Sequence, residues 1–291
     1  MKTFLIRTAS AIVYVLLFVG TMFSGLLMGN VRVGVLLFAA FLLLVTVGCS
    51  YEFLRLVWQQ GARPCRPLAY LIAIVGFLLL GIPSFIGMNV ALFGYMVVFY
   101  GLFALSVVVQ LWRRSEQPFR EAAYTLIPLL YIAVPLALML TVLQDKGPLV
   151  LLMVVAIVWV NDSGAYIGGS LFGRHKMWPR HSPGKTWEGT AFGVAVAVGF
   201  AVAVGPMVSN LAWPHWLALA LICSVLGTLG DLVESMLKRS VGVKDSGSIM
   251  PGHGGFLDRF DSLLIIMPFV YFYLTVTDPD NSFFFIVQLF S

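Results

Sequence analysis

Long apolar runs, separated by short polar segments, recur along the whole chain. Runs of about 18 to 25 apolar residues are long enough to cross the hydrocarbon core of a bilayer as helices. We place such helices near residues 8–29, 33–54, 67–87, 89–111, 122–143, 148–169, 189–209, 214–236 and 262–277. The first run also has the hydrophobicity of a signal peptide, but it lacks a convincing small-residue cleavage site, so we interpret it as a span. The pattern predicts an all-α polytopic membrane protein with about nine transmembrane helices.

Composition and charge agree with this class and add an orientation. The chain is 60% hydrophobic and only 11% charged, which excludes an ordinary soluble domain. If the N-terminus is cytoplasmic, cytoplasmic segments hold all of the 18 Lys and Arg residues except Arg32 and Lys146. Basic residues are retained in cytoplasmic loops, so we predict a cytoplasmic N-terminus. This topology explains most of the positive charge, leaves a share for anionic lipid or nucleotide, and calls for no nucleic-acid partner.

Acidic residues are concentrated in the second half of the chain. Of the 13 Asp and Glu residues, seven lie between Asp162 and Asp261. An ionisable residue near the hydrocarbon core costs roughly 2.5 to 3.5 kcal/mol, so such a concentration indicates a functional site. We therefore divide the chain into scaffold helices over residues 1–145 and a catalytic region over residues 146–291. Its cytoplasmic loops are placed at residues 170–188 and 236–261, at the cytoplasmic side of the C-terminal helices.

One acid of the first half, Glu52, stands beside the end of a predicted span. Arg55 follows it at i+3, a spacing that brings two side chains together on a helix. We favour a structural ion pair over a catalytic role for this pair, and we expect Glu52→Gln not to abolish turnover.

The first polar segment of the second half offers an acid and a phosphate-friendly sequence. Asp162 sits at the predicted membrane boundary, where a carboxylate needs a cation, a metal, donors or water. Ser182, Lys185 and Thr186, with the Pro-Gly pair between them, predict a compact turn whose amides, hydroxyls and ammonium suit an anion. The G-x-x-x-x-G-K-[ST] spacing is absent and we predict no preceding strand, so a P-loop triphosphatase is rejected.

The second polar segment carries the denser set of charges. If the eighth helix continues past Gly230, one face presents Asp231, Glu234, Ser235 and Lys238. The residues that follow add cations, a histidine in a glycine-rich turn and two acids at i+3, namely Arg239, Lys244, His253, Arg259, Asp258 and Asp261. Hard oxygen ligands beside cations suit Mg²⁺ held together with substrate phosphates. The number of acids leaves room for a second, monovalent cation. The alternative is a solvated loop with two salt bridges.

Three stretches carry a family resemblance. They read Asp162-Ser163-Gly164-Ala165-Tyr166, then Ser182-Pro183-Gly184-Lys185-Thr186-Trp187-Glu188-Gly189, then Gly230-Asp231-Leu232-x-Glu234-Ser235-x-Leu237-Lys238-Arg239 with Lys244-Asp245, Gly247, Pro251 and His253-Gly254-Gly255-x-x-Asp258-Arg259-x-Asp261. The set resembles the signature of the CdsA-type phosphatidate cytidylyltransferases, also called CDP-diacylglycerol synthases. The resemblance covers roughly residues 155–265 and is only compositional before them. Met250 departs from the family's Leu, Ile or Phe, an apolar exchange.

The resemblance implies transfer of a cytidylyl group from CTP to phosphatidate, in a bacterial cytoplasmic (inner) membrane. It implies Mg²⁺ bound by Asp231, Asp258 and Asp261. The catalytic residues that follow are Asp258, Asp231, Lys238, Arg239 and His253, and the substrate-binding residues are Ser182, Lys185, Thr186, Ser235, Lys244 and Arg259. A phosphate nucleophile is already ionised at neutral pH, so no general base is required. We expect Asp258→Asn to abolish turnover in a folded, inserted protein.

Two other functions fit parts of this pattern. A CTP-dependent lipid-alcohol kinase would use similar groups but release CDP instead of pyrophosphate. A transporter for an anion or metal would also carry intramembrane acids, although no matching polar set in the first half suggests an inverted repeat. The family suggests a homodimer among membrane lipids, and Gly193 and Gly199 permit close helix packing.

Overall fold

The computed structural model describes residues 2–82, 92–247 and 254–278, and these are almost entirely helical. The elements are α1 (Lys2–Leu27), α2 (Val31–Gln59), α3 (Arg66–Gly81), α4 (Leu92–Val108), α5 (Gln110–Arg113), α6 (Pro118–Ile127), α7 (Val134–Phe172), β1 (Lys176–Trp178), β2 (Ser182–Thr186), α8 (Trp187–Val208), α9 (Trp213–Ser240) and α10 (Leu257–Val276). A π-helical turn, Pro128–Ala133, joins α6 to α7. Helical geometry is interrupted at Gly147, whose φ is 83°, immediately before Pro148.

Six helical segments in the described part of the chain are long and apolar enough to cross a membrane. They are Val31–Gln59, Gly94–Arg113, Pro118–Phe172, Trp187–Val208, Trp213–Ser240 and Leu257–Val276. Two shorter apolar helices, Ile12–Leu27 and Arg66–Gly81, accompany them. The predicted all-α, multi-pass class is therefore confirmed, while the number of nine spans and the cytoplasmic N-terminus stay predictions.

The chain forms two compact units. The first contains Met1–Pro148 and Glu234–Phe260, and the second contains Leu149–Val233 and Asp261–Ser291. The division into scaffold helices over residues 1–145 and a catalytic region over residues 146–291 stays a prediction. It groups all of residues 146–291 together, whereas the described residues of Glu234–Phe260 pack with the N-terminal helices. The reason is a set of hydrogen bonds to α2 that is described below.

Caps and small residues define the helices of the first unit. The Asn30 side chain accepts a hydrogen bond from the backbone N–H three residues later and begins α2. Gly34 of α2 lies against the backbone of Gly25 in α1, which lets the two helices approach closely. The Phe260 ring meets Phe18 of α1 edge-on, with 6.0 Å between ring centroids. The start of α10 therefore belongs to the aromatic core of this unit.

A hairpin and a stripe of small residues organise the second unit. Strands β1 and β2 pair antiparallel, with Lys176 opposite Thr186. The predicted compact turn at residues 182–186 is therefore wrong, because these residues form β2. A strand also precedes them, contrary to our expectation, so the rejection of a P-loop depends on the absent motif spacing and on the antiparallel pairing. The loop predicted at residues 170–188 contracts to this hairpin between α7 and α8.

Small residues on α8 repeat every fourth position and are buried. They are Gly189, Gly193, Ala197, Ala201 and Gly205. A Cβ on Gly193 would lie 2.6 Å from the Asn161 carbonyl oxygen in α7. Gly193 thus permits the close packing of α7 and α8 within the chain, and the homodimer stays a prediction.

We expect Gly193→Ala to destabilise the protein and Gly199→Ala on the same helix to leave it unchanged. A Cβ on Gly199 meets nothing within 4 Å, whereas one on Gly193 forces α7 and α8 apart. Overpacking of this kind costs about 1 to 3 kcal/mol. Thermal unfolding of both variants in the same detergent measures the difference, and equal midpoints would contradict the packing described here.

Candidate active site

A cavity of about 470 Å³ opens in the second unit, within the size range of small-molecule sites. Its walls come from α7, β2, α8 and α9. The lining side chains with polar groups are Asp162, Tyr166, Ser170, Ser182, Lys185, Thr186, Thr190, Thr228 and Asp231. The structure therefore brings together three predicted substrate-binding residues of the hairpin with Asp231 from α9. Asp162, whose role the sequence left open, lines the same cavity.

Lys185 is the principal cation of this cavity. Its Nζ lies 2.6 Å from Asp231 Oδ2 and donates a hydrogen bond of 3.3 Å to the Thr228 carbonyl oxygen. The Lys185 and Asp231 side chains are 23% and 34% exposed, so both are partly open to a ligand. Thr186 has a structural task as well, because its hydroxyl accepts the Gly189 N–H and begins α8.

Two acids of the second unit are close enough to share a metal ion. Carboxylate oxygens of Asp231 and Asp261 lie within 4.8 Å of each other. Two oxygens bound to one Mg²⁺ are at most about 4.2 Å apart, so a small side-chain adjustment would let both carboxylates bind one ion. Close packing of α9 and α10 places them, since the Ser262 hydroxyl donates to the Gly227 carbonyl oxygen at 3.0 Å. These residues fit a magnesium site.

A second polar cluster lies in the first unit and is centred on Lys238. Its Nζ lies 2.7 Å from Asp258 Oδ1 and also forms an ion pair with Glu234, four residues earlier on α9. The Glu234 side chain is fully buried and those of Lys238 and Asp258 are 11% and 7% exposed. Helix α9 continues past Gly230 to Ser240, as predicted, which gives Glu234 and Lys238 this i,i+4 contact.

The segment before α10 closes around the Asp258 carboxylate. Asp258 Oδ2 accepts hydrogen bonds from the Ser246 N–H at 3.0 Å, the Ser246 hydroxyl at 2.9 Å and the Gly255 N–H at 2.8 Å. Gly254 has a φ of +77°, and a Cβ there would come within 2.5 Å of the same oxygen. Gly254 therefore leaves room for the Asp258 carboxylate.

Glu52 does not form the predicted pair with Arg55. Its carboxylate is fully buried and accepts hydrogen bonds from the Phe256 N–H at 3.1 Å and the Leu257 N–H at 2.9 Å. The Ser246 hydroxyl lies 2.9 Å from Glu52 Oε2 as well as from Asp258 Oδ2, and its one proton is donated to one of these two carboxylates at a time. Arg55 is exposed. The prediction was wrong because the first N–H groups of α10 have no partner within their own helix. The buried Glu52 carboxylate needs hydrogen-bond donors, and these N–H groups provide them, whereas the Arg55 guanidinium remains in solvent.

The remaining predicted residues are placed as follows. Arg239 is exposed and donates to the Val243 carbonyl oxygen at 2.8 Å. Lys244 and Arg259 are exposed, and Ser235 is buried in α9. His253 lies outside the described residues. Sequence reasoning missed Ser246 and Thr228 and gave Glu52 a purely local role; only the presence of a lone acid in an apolar run marked Glu52 as unusual.

Comparison with known proteins identifies similar chains. A family model described as the cytidylyltransferase family matches residues 6–277. A phosphatidate cytidylyltransferase of Bacillus subtilis is 35% identical over 271 residues, covering 85% of this chain and 97% of the relative. A phosphatidate cytidylyltransferase of Staphylococcus aureus is 32% identical over 269 residues, covering 90% and 96%. One of Staphylococcus epidermidis is 40% identical over 173 residues, covering 58% and 66%.

Proposed function

The chain belongs to the cytidylyltransferase family, and from this we infer that it transfers the cytidylyl group of CTP to phosphatidate. Relatives that carry the name phosphatidate cytidylyltransferase match nearly their whole length. The products are CDP-diacylglycerol and pyrophosphate, and the enzyme is a nucleotidyltransferase of phospholipid synthesis.

In this reaction an ionised phosphate oxygen of phosphatidate attacks the α-phosphorus of CTP. A new oxygen–phosphorus bond forms as the bond to the β-phosphate breaks, and the electron pair leaves with pyrophosphate. Both reactants are anions, so the site must hold them against their repulsion and stabilise charge that shifts toward the leaving group. Cations placed in advance at a partly enclosed site meet both needs.

The observation that best supports the proposed chemistry is the joint placement of Lys185 and Asp231 in one cavity. The ammonium group of Lys185 supplies an anion contact, and its pairing with Asp231 fixes its position before substrate arrives. Ser182 adds a hydroxyl donor to the same wall. We therefore propose that this cavity receives substrate phosphates.

We propose Mg²⁺ as the cofactor, held by Asp231 and Asp261. The ion would neutralise phosphate charge as a Lewis acid. Metal binding by Asp258 stays a prediction from the sequence. A role in phosphate binding for Lys238, Arg239, Lys244 and Arg259 likewise stays a prediction from the sequence.

We further propose nine transmembrane helices with a cytoplasmic N-terminus, in a bacterial cytoplasmic membrane. The excess of Lys and Arg in segments on one side supports this orientation. A cytoplasmic site would meet soluble CTP from the cytosol and phosphatidate from the bilayer. A homodimer remains part of the proposal from family resemblance alone.

A product assay on detergent-purified protein tests the function. We expect labelled CTP, phosphatidate and Mg²⁺ to yield CDP-diacylglycerol and pyrophosphate, and removal of Mg²⁺ by a chelator to stop the reaction. Diacylglycerol and polyprenol, offered in place of phosphatidate, are expected to give no product.

Other outcomes of this assay would indicate a different function. Release of CDP with a phosphorylated alcohol would identify a lipid-alcohol kinase. If protein that is monodisperse and unfolds cooperatively on heating shows no nucleotide chemistry, the proposed enzymatic function is contradicted and a transporter is favoured. Asp258→Asn serves as the inactive control.

A further inference from the structure

Glu52 connects the N-terminal helices to the segment that carries Asp258. Its carboxylate is fully buried in the first unit, yet both of its oxygens receive donors from residues about 200 positions later in the chain. Two of the donors, the Phe256 and Leu257 N–H groups, belong to the start of α10. One carboxylate from α2 therefore fixes where α10 begins, and Asp258 follows directly in its first turn.

The segment before α10 is shaped around this carboxylate. A Cβ on either Gly247 or Gly255 would overlap the Glu52 carboxyl group. One turn earlier on α2, Gly48 leaves room for the Phe256 ring, which a Cβ there would meet at 2.6 Å. Glycines at three positions thus leave room for the Glu52 carboxyl group and for the Phe256 ring.

Ser246 joins Glu52 to the charged cluster. Its hydroxyl lies 2.9 Å from Glu52 Oε2 and 2.9 Å from Asp258 Oδ2. Asp258 Oδ1 in turn lies 2.7 Å from Lys238 Nζ. Displacement of the Glu52 carboxylate would therefore be transmitted through a single hydroxyl to both groups that are proposed to act in the reaction.

We propose that Glu52 is a positioning residue, which touches no substrate but holds Ser246, Phe256 and Leu257 so that Asp258 and Lys238 are presented in a fixed geometry. This inference rests on the proposed function for its effect on turnover. It gives Glu52 a larger role than the local ion pair that the sequence predicts.

Glu52→Gln is the direct test. The amide replaces one acceptor oxygen with an NH₂ group that must face either the Phe256 N–H or the Leu257 N–H and Ser246 donors, so at least one donor meets another donor. Loss of such a supporting contact costs about 10- to 100-fold in activity, and we expect kcat to fall by that factor. The matched control is Glu121→Gln, a buried acid of the same unit on α6, for which we expect wild-type kcat.

Limited trypsin digestion provides a readout independent of activity. Arg239 and Lys244 lie shortly before Ser246 in the chain, while Arg174 and Arg180 flank β1 in the second unit. We expect Glu52→Gln to accelerate cleavage at Arg239 and Lys244 about 10-fold or more without changing cleavage at Arg174 and Arg180. The reason is that only the residues hydrogen-bonded to Glu52, and the chain next to them, become more mobile.

Each outcome decides the inference. Wild-type kcat or unchanged cleavage in Glu52→Gln overturns it. If cleavage rises at all four sites, the variant is generally destabilised, and Ser246→Ala then decides, because it weakens the link without leaving an altered buried acid. Lower kcat with selective cleavage in Ser246→Ala supports the proposal, and wild-type behaviour overturns it. If the wild type lacks cytidylyltransferase activity, the proposed function fails. The digestion still tests whether Glu52 holds Ser246, Phe256 and Leu257 in place.

Discussion

Asp258→Asn is expected to abolish turnover, with a loss of at least about 10³-fold in kcat, while the protein remains folded and inserted. The carboxylate accepts from Lys238 on one oxygen and from Ser246 and Gly255 on the other. Asparagine has one acceptor oxygen and one donor nitrogen. In one orientation its NH₂ group faces two backbone N–H groups, and in the other it faces the Lys238 ammonium. Loss of one preorganised electrostatic group alone costs about 10² to 10³ in rate, and displacement of Lys238 adds to this.

Asp245→Asn provides the matched control for that experiment. Asp245 lies in the same polar segment, and its substitution is the same Asp-to-Asn exchange, but its side chain is exposed. We expect wild-type turnover and an unchanged unfolding midpoint. Asp258→Asn should lower the midpoint without abolishing cooperative unfolding, since an unsatisfied buried group costs about 1 to 3 kcal/mol. Turnover above a tenth of the wild-type rate in Asp258→Asn would remove this residue from the catalytic set.

The helical membrane class was predictable because it depends on composition and run length alone. A bilayer requires every backbone polar group to be satisfied inside its own segment, so long apolar runs have few alternatives to helix. The continuation of α9 beyond Gly230 was predictable for a related reason, since acids and cations at i, i+3, i+4 and i+7 indicate one helical face. Both predictions use only local information.

The hairpin was not predictable in the same way. Pro-Gly pairs are typical of turns, and residues 182–186 contain one. Strand β2 forms because β1 lies beside it and supplies the pairing partner, and two isolated strands of this length have little stability of their own. Local chemistry pointed to a turn where tertiary context made a strand.

Glu52 shows the limit most clearly. Its lone position in an apolar run indicated that the charge needs a partner, and Arg55 supplied one at a suitable local spacing. The actual partners follow about 200 residues later, and two of them are backbone N–H groups whose availability depends on where α10 begins. The same contact explains Gly247 and Gly255, where a Cβ would overlap the Glu52 carboxyl group.

The two charged clusters differ in what their contacts can do. In the first unit, Glu234, Lys238 and Asp258 are almost completely shielded from solvent. Removing one partner of such a group is costly, because the other charge is left buried. In the second unit, Lys185 and Asp231 are partly exposed, and an exposed ion pair stabilises a fold by only about 0.2 to 1 kcal/mol. A large effect of a substitution at Asp231 would therefore report on chemistry and not on folding.

Asp231→Asn is expected to reduce kcat/KM by at least about 10³-fold and to leave the unfolding midpoint within a few degrees of wild type. The amide removes one negative ligand from the Asp231–Asp261 pair and releases Lys185 from its fixed position. Titration of activity with Mg²⁺ separates these effects, and we expect the half-saturating concentration to rise more than about 10-fold. Asp231→Glu keeps the charge at a longer reach, so part of the activity and of the Mg²⁺ response should return.

Combining Asp231→Asn with Lys185→Met distinguishes a metal ligand from a simple salt bridge. If Asp231 served only to neutralise Lys185, removal of both charges would restore the balance, and the double variant would be more active than Asp231→Asn alone. We expect the opposite result, an activity no higher than that of either single variant, because the acid is proposed to hold Mg²⁺ and the ammonium group to hold phosphate. Recovery in the double variant, or a wild-type Mg²⁺ response in Asp231→Asn, would show that this pair does no more than stabilise the cavity wall.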